Sequence, residues 1–295
     1  MWAMVRSVMQ DAHAHCEALV RVADKDRYLA GLFAPAAARR HLYALYAFAG
    51  EIARVREAAR EPLPGEIRLQ WWRDALSGER HGEASANPVA AALLDTVARY
   101  ALPKEPLIAL IDAHGFDLYD DVMPSLADLD AYAEHTSGTL FALAAQILHG
   151  TDGADAIAAA AVPAGIAHAI TLRMSTFPRD IARRQFFVPL DLLGKHGITC
   201  HDIEARQNSV GLRAALAAVR DHVRAAFVRF RAAAPGVPVV CAPAFLEAAV
   251  VPPLLARLDA TAADPFAPVE LPQWRRQWAL WRAARKWPTI KGFWT

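Results

Sequence analysis

Four aspartates crowd one short stretch, Ile111-Asp-Ala-His-Gly-Phe-Asp-Leu-Tyr-Asp-Asp121. On a helix Asp117 shares a face with Asp120 and with Asp121. Paired carboxylates suit Mg²⁺, which takes oxygen ligands and bridges phosphates. The same residues also read as the solvated end of a helix just before Pro124. A second charged run, Glu51, Arg54, Glu57 and Arg60, recurs at intervals of three. It is either an exposed face of alternating charge or a polar stripe lining a cavity, because the rest of its helix is apolar.

Other chemistries lack their signatures. His13, His15 and Cys16 have no second half of a zinc pattern, and neither have His196, Cys200 and His201, so no metal is expected at either group. GxSxG, P-loop and GxGxxG motifs are absent, which removes the direct routes to hydrolase, NTPase and Rossmann readings.

The C-terminal stretch carries a different signal. Trp274, Trp278, Trp281, Trp287 and Trp294 are five of the chain's eight tryptophans. Arg275, Arg276, Arg282, Arg285, Lys286 and Lys291 accompany them, and no acidic residue follows Glu270. Trp274, Trp278 and Trp281 step at helical spacing and form one indole stripe, with Arg285 following in the same series. Indoles favour the membrane–water boundary, and near an anionic surface each basic residue contributes on the order of 1 kcal/mol. The expected membrane-binding set is Trp274, Trp278, Trp281, Arg275, Arg282 and Arg285. The competing readings are a terminal helix docking its indoles on the core and a protein-binding face.

These groups need a scaffold. The chain has 295 residues, 55% of them hydrophobic and 21% charged, enough to bury a large core and to exclude disorder. The 32 basic and 31 acidic residues leave a formal charge of +1, so a chain-wide field for nucleic acid is not expected. Three distant cysteines, Cys16, Cys200 and Cys241, exclude a disulfide framework and fit a reducing compartment. Asp11, His13, His15 and Glu17 interrupt any signal-peptide core. Ala156 to Leu172 is uncharged but spans only 17 residues, with Pro163 and His168 inside, and is expected to be a buried helix.

Alanine and leucine dominate, and no hairpin pattern appears, so the chain reads as all-helical. Helices are expected over Ser7–Val22, Ala36–Arg60, Glu66–Leu76, Val89–Tyr100, Leu107–Tyr119, Ser125 to Leu148, Val210–Ala233, Phe245–Leu258 and Gln273–Lys286, with another beginning at Ala156. Phe177 to Asn208, holding Pro178 and Pro189, reads as irregular. The expected organisation is one helical domain over residues 1–272 and a basic, Trp-rich helix or tail over 273–295.

Three segments, in order, carry a resemblance. They are Leu42-Tyr-Ala-Leu-Tyr-Ala-Phe48, Leu129-Asp-Ala-Tyr-Ala-Glu-His-Thr-Ser-Gly-Thr139, and Arg179-Asp-Ile-Ala-Arg-Arg-Gln-Phe-Phe-Val-Pro-Leu-Asp-Leu-Leu193. Together they resemble the squalene/phytoene synthase family over roughly residues 25 to 260. That resemblance implies an all-α isoprenoid-synthase-like bundle around a central cavity, and a family chemistry that condenses two prenyl diphosphates with Mg²⁺.

The departures fall on the chemistry. Where active members carry Asp-Asp-x-x-Asp, this chain has Ala53-Arg-Val-Arg-Glu57, and the second Asp-x-x-x-Asp reads Thr176-Phe-Pro-Arg-Asp180. Ala-Gly-x-Val-Gly becomes Ser137-Gly-Thr-Leu-Phe141. Glu51-Ile-Ala-Arg-Val-Arg-Glu57 and Gly65-Glu-Ile-Arg-Leu-Gln-Trp-Trp-Arg-Asp-Ala-Leu76 are similar to a divergent branch, the mitochondrial complex I assembly factor and its bacterial relatives.

The resemblance implies that Arg54, Arg56, Arg179 and Arg183 are the diphosphate-binding candidates and that Glu51, Glu57 and Asp180 are the residual motif carboxylates. Tyr43, Tyr46, Phe48 and Phe141 are the expected cavity residues, and Arg54, Arg56, Glu57 and Asp180 are expected on one cleft. Guanidiniums can hold phosphate without metal. The function implied is assistance to respiratory complex I assembly without prenyl condensation and without a cofactor. The alternative is an active prenyl transferase holding Mg²⁺ through Glu57 and Asp180. The expected partners are a prenyl diphosphate or isoprenoid lipid, the membrane surface and a respiratory-complex subunit. The expected location is cytoplasmic, peripheral on the inner face of the membrane.

Overall fold

The computed structural model describes residues 2–59 and 61–287, so Arg60, Lys291 and Trp294 lie outside the described residues. The first half of the chain forms α1 (Trp2–Ala23), α2 (Lys25–Leu32), α3 (Ala36–Ala53), α4 (Val55–Ala58), α5 (Pro62–Ser77), α6 (His81–Ala86), α7 (Pro88–Tyr100), α8 (Lys104–Ala113) and α9 (Leu126–Ala133). Then come α10 (Thr139–His149), α11 (Ala154–Ala182), α12 (Leu190–Lys195), α13 (Cys200–Glu204), α14 (Val210–Ala233), α15 (Ala242–Phe245), α16 (Val251–Ala260) and α17 (Gln273–Lys286). No strand forms among the described residues; Val122 and Phe186 make one isolated bridge. The all-α expectation holds.

Two helices organise the interior. Leu42, Tyr43, Leu45, Phe48 and Ile52 of α3 are fully buried, and α1, α7 and α10 pack around that helix. The alanine-rich α11 lies against α10, α14 and α16. Its small side chains let neighbours approach closely. The apolar stretches Ala154–Ala182 and Val239–Ala260 are long enough to cross a membrane, yet both are mostly buried inside the protein. Local chemistry sets several starts. Asn87 accepts from the backbone N–H groups of Val89 and Ala90 with Pro88 next in line, and Thr199 and Asp202 form a capping box.

Four departures from the expected helices matter. The α3 helix stops at Ala53 because Arg54 takes φ −93° and ψ 1°, and the chain re-aims into α4. The expected helix Leu107–Tyr119 ends at Ala113. Gly115 then closes so tightly that a Cβ there would lie 2.9 Å from the Asp112 carbonyl oxygen. The stretch from Ser125 to Leu148 contains a π-helical turn, Glu134–Gly138, between α9 and α10. The fourth departure is α11, which runs through Pro178 to Ala182 where an irregular segment was expected. The Ser175 hydroxyl bonds back to the Leu172 carbonyl in the preceding turn. Proline removes one donor without forcing the helix to end when tertiary packing holds it.

The π turn crosses α11 at Gly165. A Cβ on Gly165 would lie 2.3 Å from the Gly138 nitrogen, so the two backbones must separate to admit it. Gly165→Ala is expected to lose about 1–3 kcal/mol of stability in urea unfolding. Gly194→Ala, where a Cβ meets nothing within 4 Å, is the control and should lose none.

Candidate functional site

Where α3, the π turn and α11 converge, a cavity of about 390 Å³ opens. Ala49 and Ala53 of α3 form one wall, and Leu172, Arg173, Thr176 and Arg179 of α11 form the facing one. Thr136 and Ser137 enter from the π turn, Arg27 from α2 and Arg276 from α17. The π turn matters here, since its extra residue re-aims the hydroxyls of this segment. His114 and Tyr132 complete the polar lining.

The described lining holds four arginines and no carboxylate. Buried guanidinium charge needs counter-charge, and it is supplied from behind the wall. Arg27 donates to Glu247 at 3.0 Å, and Arg276 donates to Asp26 at 2.6 Å. Arg173 donates to the Tyr132 hydroxyl at 2.6 Å and lies 3.4 Å from Asp117. His114 Nδ1 lies 2.7 Å from that same carboxylate. Burial works against the Asp117 charge, but His114 and Arg173 outweigh it and hold the carboxyl below its usual range. Arg179 is the most exposed of the four, 3.8 Å from Asp180.

Two of the motif positions line this cavity, whereas Arg54, Arg56, Glu57 and Asp180, expected on one cleft, are not among the lining residues. Ala53 and Thr176 line it, and Thr176 donates to Asp180 at 2.7 Å. Asp180 is buried just behind, and burial raises its pKa. Glu57 pairs with Arg183 at 2.8 Å, which lowers its pKa. Arg179 and Arg54 also act on Glu57, so Arg54, Arg179 and Arg183 cluster around that carboxylate. Glu51 is half-buried, with its pKa raised by burial and opposed by Arg54. Arg56 points elsewhere, to Asp120 at 3.0 Å.

The four aromatic residues expected in the cavity are not among the residues that line it. Tyr43 donates to the Tyr28 carbonyl, and Tyr46 lies under the Arg27 guanidinium, 5.4 Å from its ring centroid. Phe48 packs edge-on against Trp72, and Phe141 stacks on Phe245 at 5.4 Å. They are core: all four are buried against partners from other helices. The aspartate cluster separates as well. Asp117 is buried in the network above, Asp112 pairs with Arg73, and Asp120 pairs with Arg56. Arg27, Arg173, Arg276, His114, Tyr132 and Glu247 escaped sequence reasoning. Arg173 and Glu247, lone charges in apolar runs, were the available signals; Arg27 gave none, and Arg276 read only as one of the basic residues among the C-terminal tryptophans.

These residues do not fit a magnesium–diphosphate cluster. Mg²⁺ needs converging oxygen ligands. Here positions 53, 54 and 176 hold alanine, arginine and threonine, and the two surviving carboxylates are engaged by Arg183 and Thr176. A different trio, His13, His41 and Asp95, has its ligand atoms within 4.8 Å of one another. Its nitrogens are already committed. His13 meets the Arg40 carbonyl and Asp95, and His41 takes a hydrogen bond from Arg40 Nε and gives one to Thr96.

Comparison with known proteins follows the same lines. A family model described as squalene/phytoene synthase matches residues 20–282. NADH dehydrogenase (ubiquinone) complex I, assembly factor 6, of Rattus norvegicus is 30% identical over 258 residues, covering 88% of this chain and 77% of that protein. The crystal structure of squalene synthase HpnC from Alicyclobacillus acidocaldarius superimposes with a TM-score of 0.71 at 26% identity, covering 88% of this chain and 97% of that one. A dehydrosqualene synthase reaches a TM-score of 0.78 at 17% identity, covering 95% and 98%, and shares the fold.

The buried charges set a pH dependence. Burial, with Arg27 and Arg276, pushes His168 down to about 3, and burial with His13 and Arg40 pushes His41 down to about 4. Burial raises Glu247 to about 7 against the opposing pull of Arg27, so its carboxylate serves as full counter-charge to Arg27 only above that pH. From the ordinary 6.5 down to those values, the unfolded chain binds histidine protons that the folded chain refuses. Stability therefore falls with pH, by about 1.4 kcal/mol per unit for each such proton. Glu247 opposes this: between 4.5 and about 7 the folded chain keeps a proton that the unfolded chain has lost. Glu247→Gln should remove the opposition and steepen the loss between pH 6.5 and 4.5 by about 1.4 kcal/mol per unit, read by urea unfolding at stepped pH. An unchanged slope means that Glu247 stays ionised throughout.

Proposed function

The chain belongs to the squalene/phytoene synthase family, and from that premise we propose that it assists assembly of respiratory complex I instead of condensing prenyl diphosphates. One observation carries this reading: the wall that would need converging carboxylates for Mg²⁺ and diphosphate presents four arginines and no carboxylate among its described residues. Guanidiniums facing a cation repel it, and metal-assisted ionisation of a diphosphate loses its basis. The 30% identity to the rat assembly factor, across 88% of this chain, supports the same direction.

In this reading the protein works as a peripheral protein on the inner, cytoplasmic face of the membrane, against a respiratory-complex subunit. The cavity keeps a place for a prenyl diphosphate or isoprenoid lipid. Arg179, the least neutralised of its arginines, would take an anionic headgroup without metal. The second reading, an active transferase, draws on the likeness to squalene synthase HpnC. It requires Mg²⁺ on Glu57 and Asp180, which would first have to leave Arg183 and Thr176.

Two experiments decide. Purified protein incubated with farnesyl or geranylgeranyl diphosphate and Mg²⁺ is expected to yield no squalene, presqualene diphosphate or phytoene above background; any of these establishes the transferase. Deleting the gene in its host is expected to reduce fully assembled NADH:ubiquinone oxidoreductase on native gels, and normal assembly in the deletion strain removes the assembly reading.

A further inference from the structure

The α17 helix has two unlike faces. Leu280 and Ala283 are buried against the 3₁₀ segment Leu246–Val250 and α2, and Trp287 stacks on Phe245. Arg276, on the same helix, reaches inward to line the cavity and is held by Asp26. The outer face carries the indole stripe, and its indoles do not dock on the core. Trp274, Trp278 and Trp281 are 63%, 53% and 40% exposed. Trp278 and Trp281 stack on each other at 4.9 Å, Arg275 covers Trp274, and Arg285 covers Trp281.

We infer that this outer face is a docking surface for an anionic lipid bilayer and sets the cavity against the membrane. The inference rests on the peripheral-membrane reading and deepens it by naming the surface. Three large indoles left in water on one helix face are otherwise a cost, since each could bury most of its area. A bilayer boundary takes the ring bodies and leaves the N–H groups hydrated. The helix contains only basic charges, so its field complements anionic headgroups and repels a basic partner. Guanidiniums lying over indoles bring the positive charge to the plane where the rings would enter. Arg276 sits two residues from both Trp274 and Trp278, so the docked face and the cavity wall are carried by one rigid element.

The test is co-sedimentation of the full chain with vesicles of phosphatidylcholine alone and of phosphatidylcholine mixed with phosphatidylglycerol. The wild type is expected to pellet with the anionic vesicles and to release partly as salt shortens the Debye length below its value of about 8 Å at physiological ionic strength. The triple variant Trp274→Ala, Trp278→Ala, Trp281→Ala should keep its melting temperature, because these side chains are exposed, and should bind about tenfold or more weakly. Arg275→Gln, Arg282→Gln, Arg285→Gln should lose the salt-sensitive part. A wild type that pellets while the indole variant pellets equally well overturns the α17 assignment and leaves the peripheral reading standing. A wild type that stays in the supernatant at low salt overturns both. A wild-type dimer that the indole variant converts to monomer makes the face a self-interface and likewise overturns the lipid assignment.

Discussion

Burying a guanidinium without a counter-ion is prohibitive, and that constraint organises the centre of this protein. Arg27, Arg173 and Arg276 come from three different helices, and each meets a carboxylate or hydroxyl from another element. The pairs therefore join α2 to the Leu246–Val250 segment, α11 to the loop carrying Asp117, and α17 to α2. Such pairs add little net stability over an apolar core, yet removing one partner costs about 3–5 kcal/mol, so they specify which packing is allowed.

The same pairs explain why a family scaffold can persist while its chemistry changes. The helices that carry the motif positions still oppose each other across the cavity, with Ala53 and Thr176 on facing walls. The described lining is positively charged. With Ala53, Arg54 and Thr176 at three of the motif positions, the remaining acids face cations within the protein: Glu57 pairs with Arg183, and Asp180 lies beside Arg179 and Arg173 while accepting from Thr176. Phe141 stacks on Phe245, which in turn stacks on Trp287 near the end of the described chain. Aromatic packing thus ties α10 to the region of α17 and couples the bundle interior to the helix that carries the exposed indoles.

The sequence by itself determined the helical class, the family and the presence of a basic, tryptophan-rich helix near the C-terminus, although that helix packs on the core and is no separate unit. Those are properties of composition, periodicity and motif order, which are local and additive. Through the resemblance it also marked positions 53, 54 and 176 as departures from the family's acidic motifs, with Glu57 and Asp180 remaining. Tertiary structure decided the rest. Whether Asp117 met solvent or Arg173 depended on a helix ending at Ala113 and a tight turn at Gly115. Whether Tyr43, Tyr46, Phe48 and Phe141 faced a cavity or a core depended on Tyr28, Arg27, Trp72 and Phe245. Arg27 and Arg276 became neighbours of one cavity from positions 27 and 276, and no local pattern encodes such a meeting. A charge's role is set by what surrounds it, and its surroundings come from distant parts of the chain; the sequence could supply the arginines, but only the fold could say which ones are closely paired, which one is most exposed, and which indoles are left to the outside.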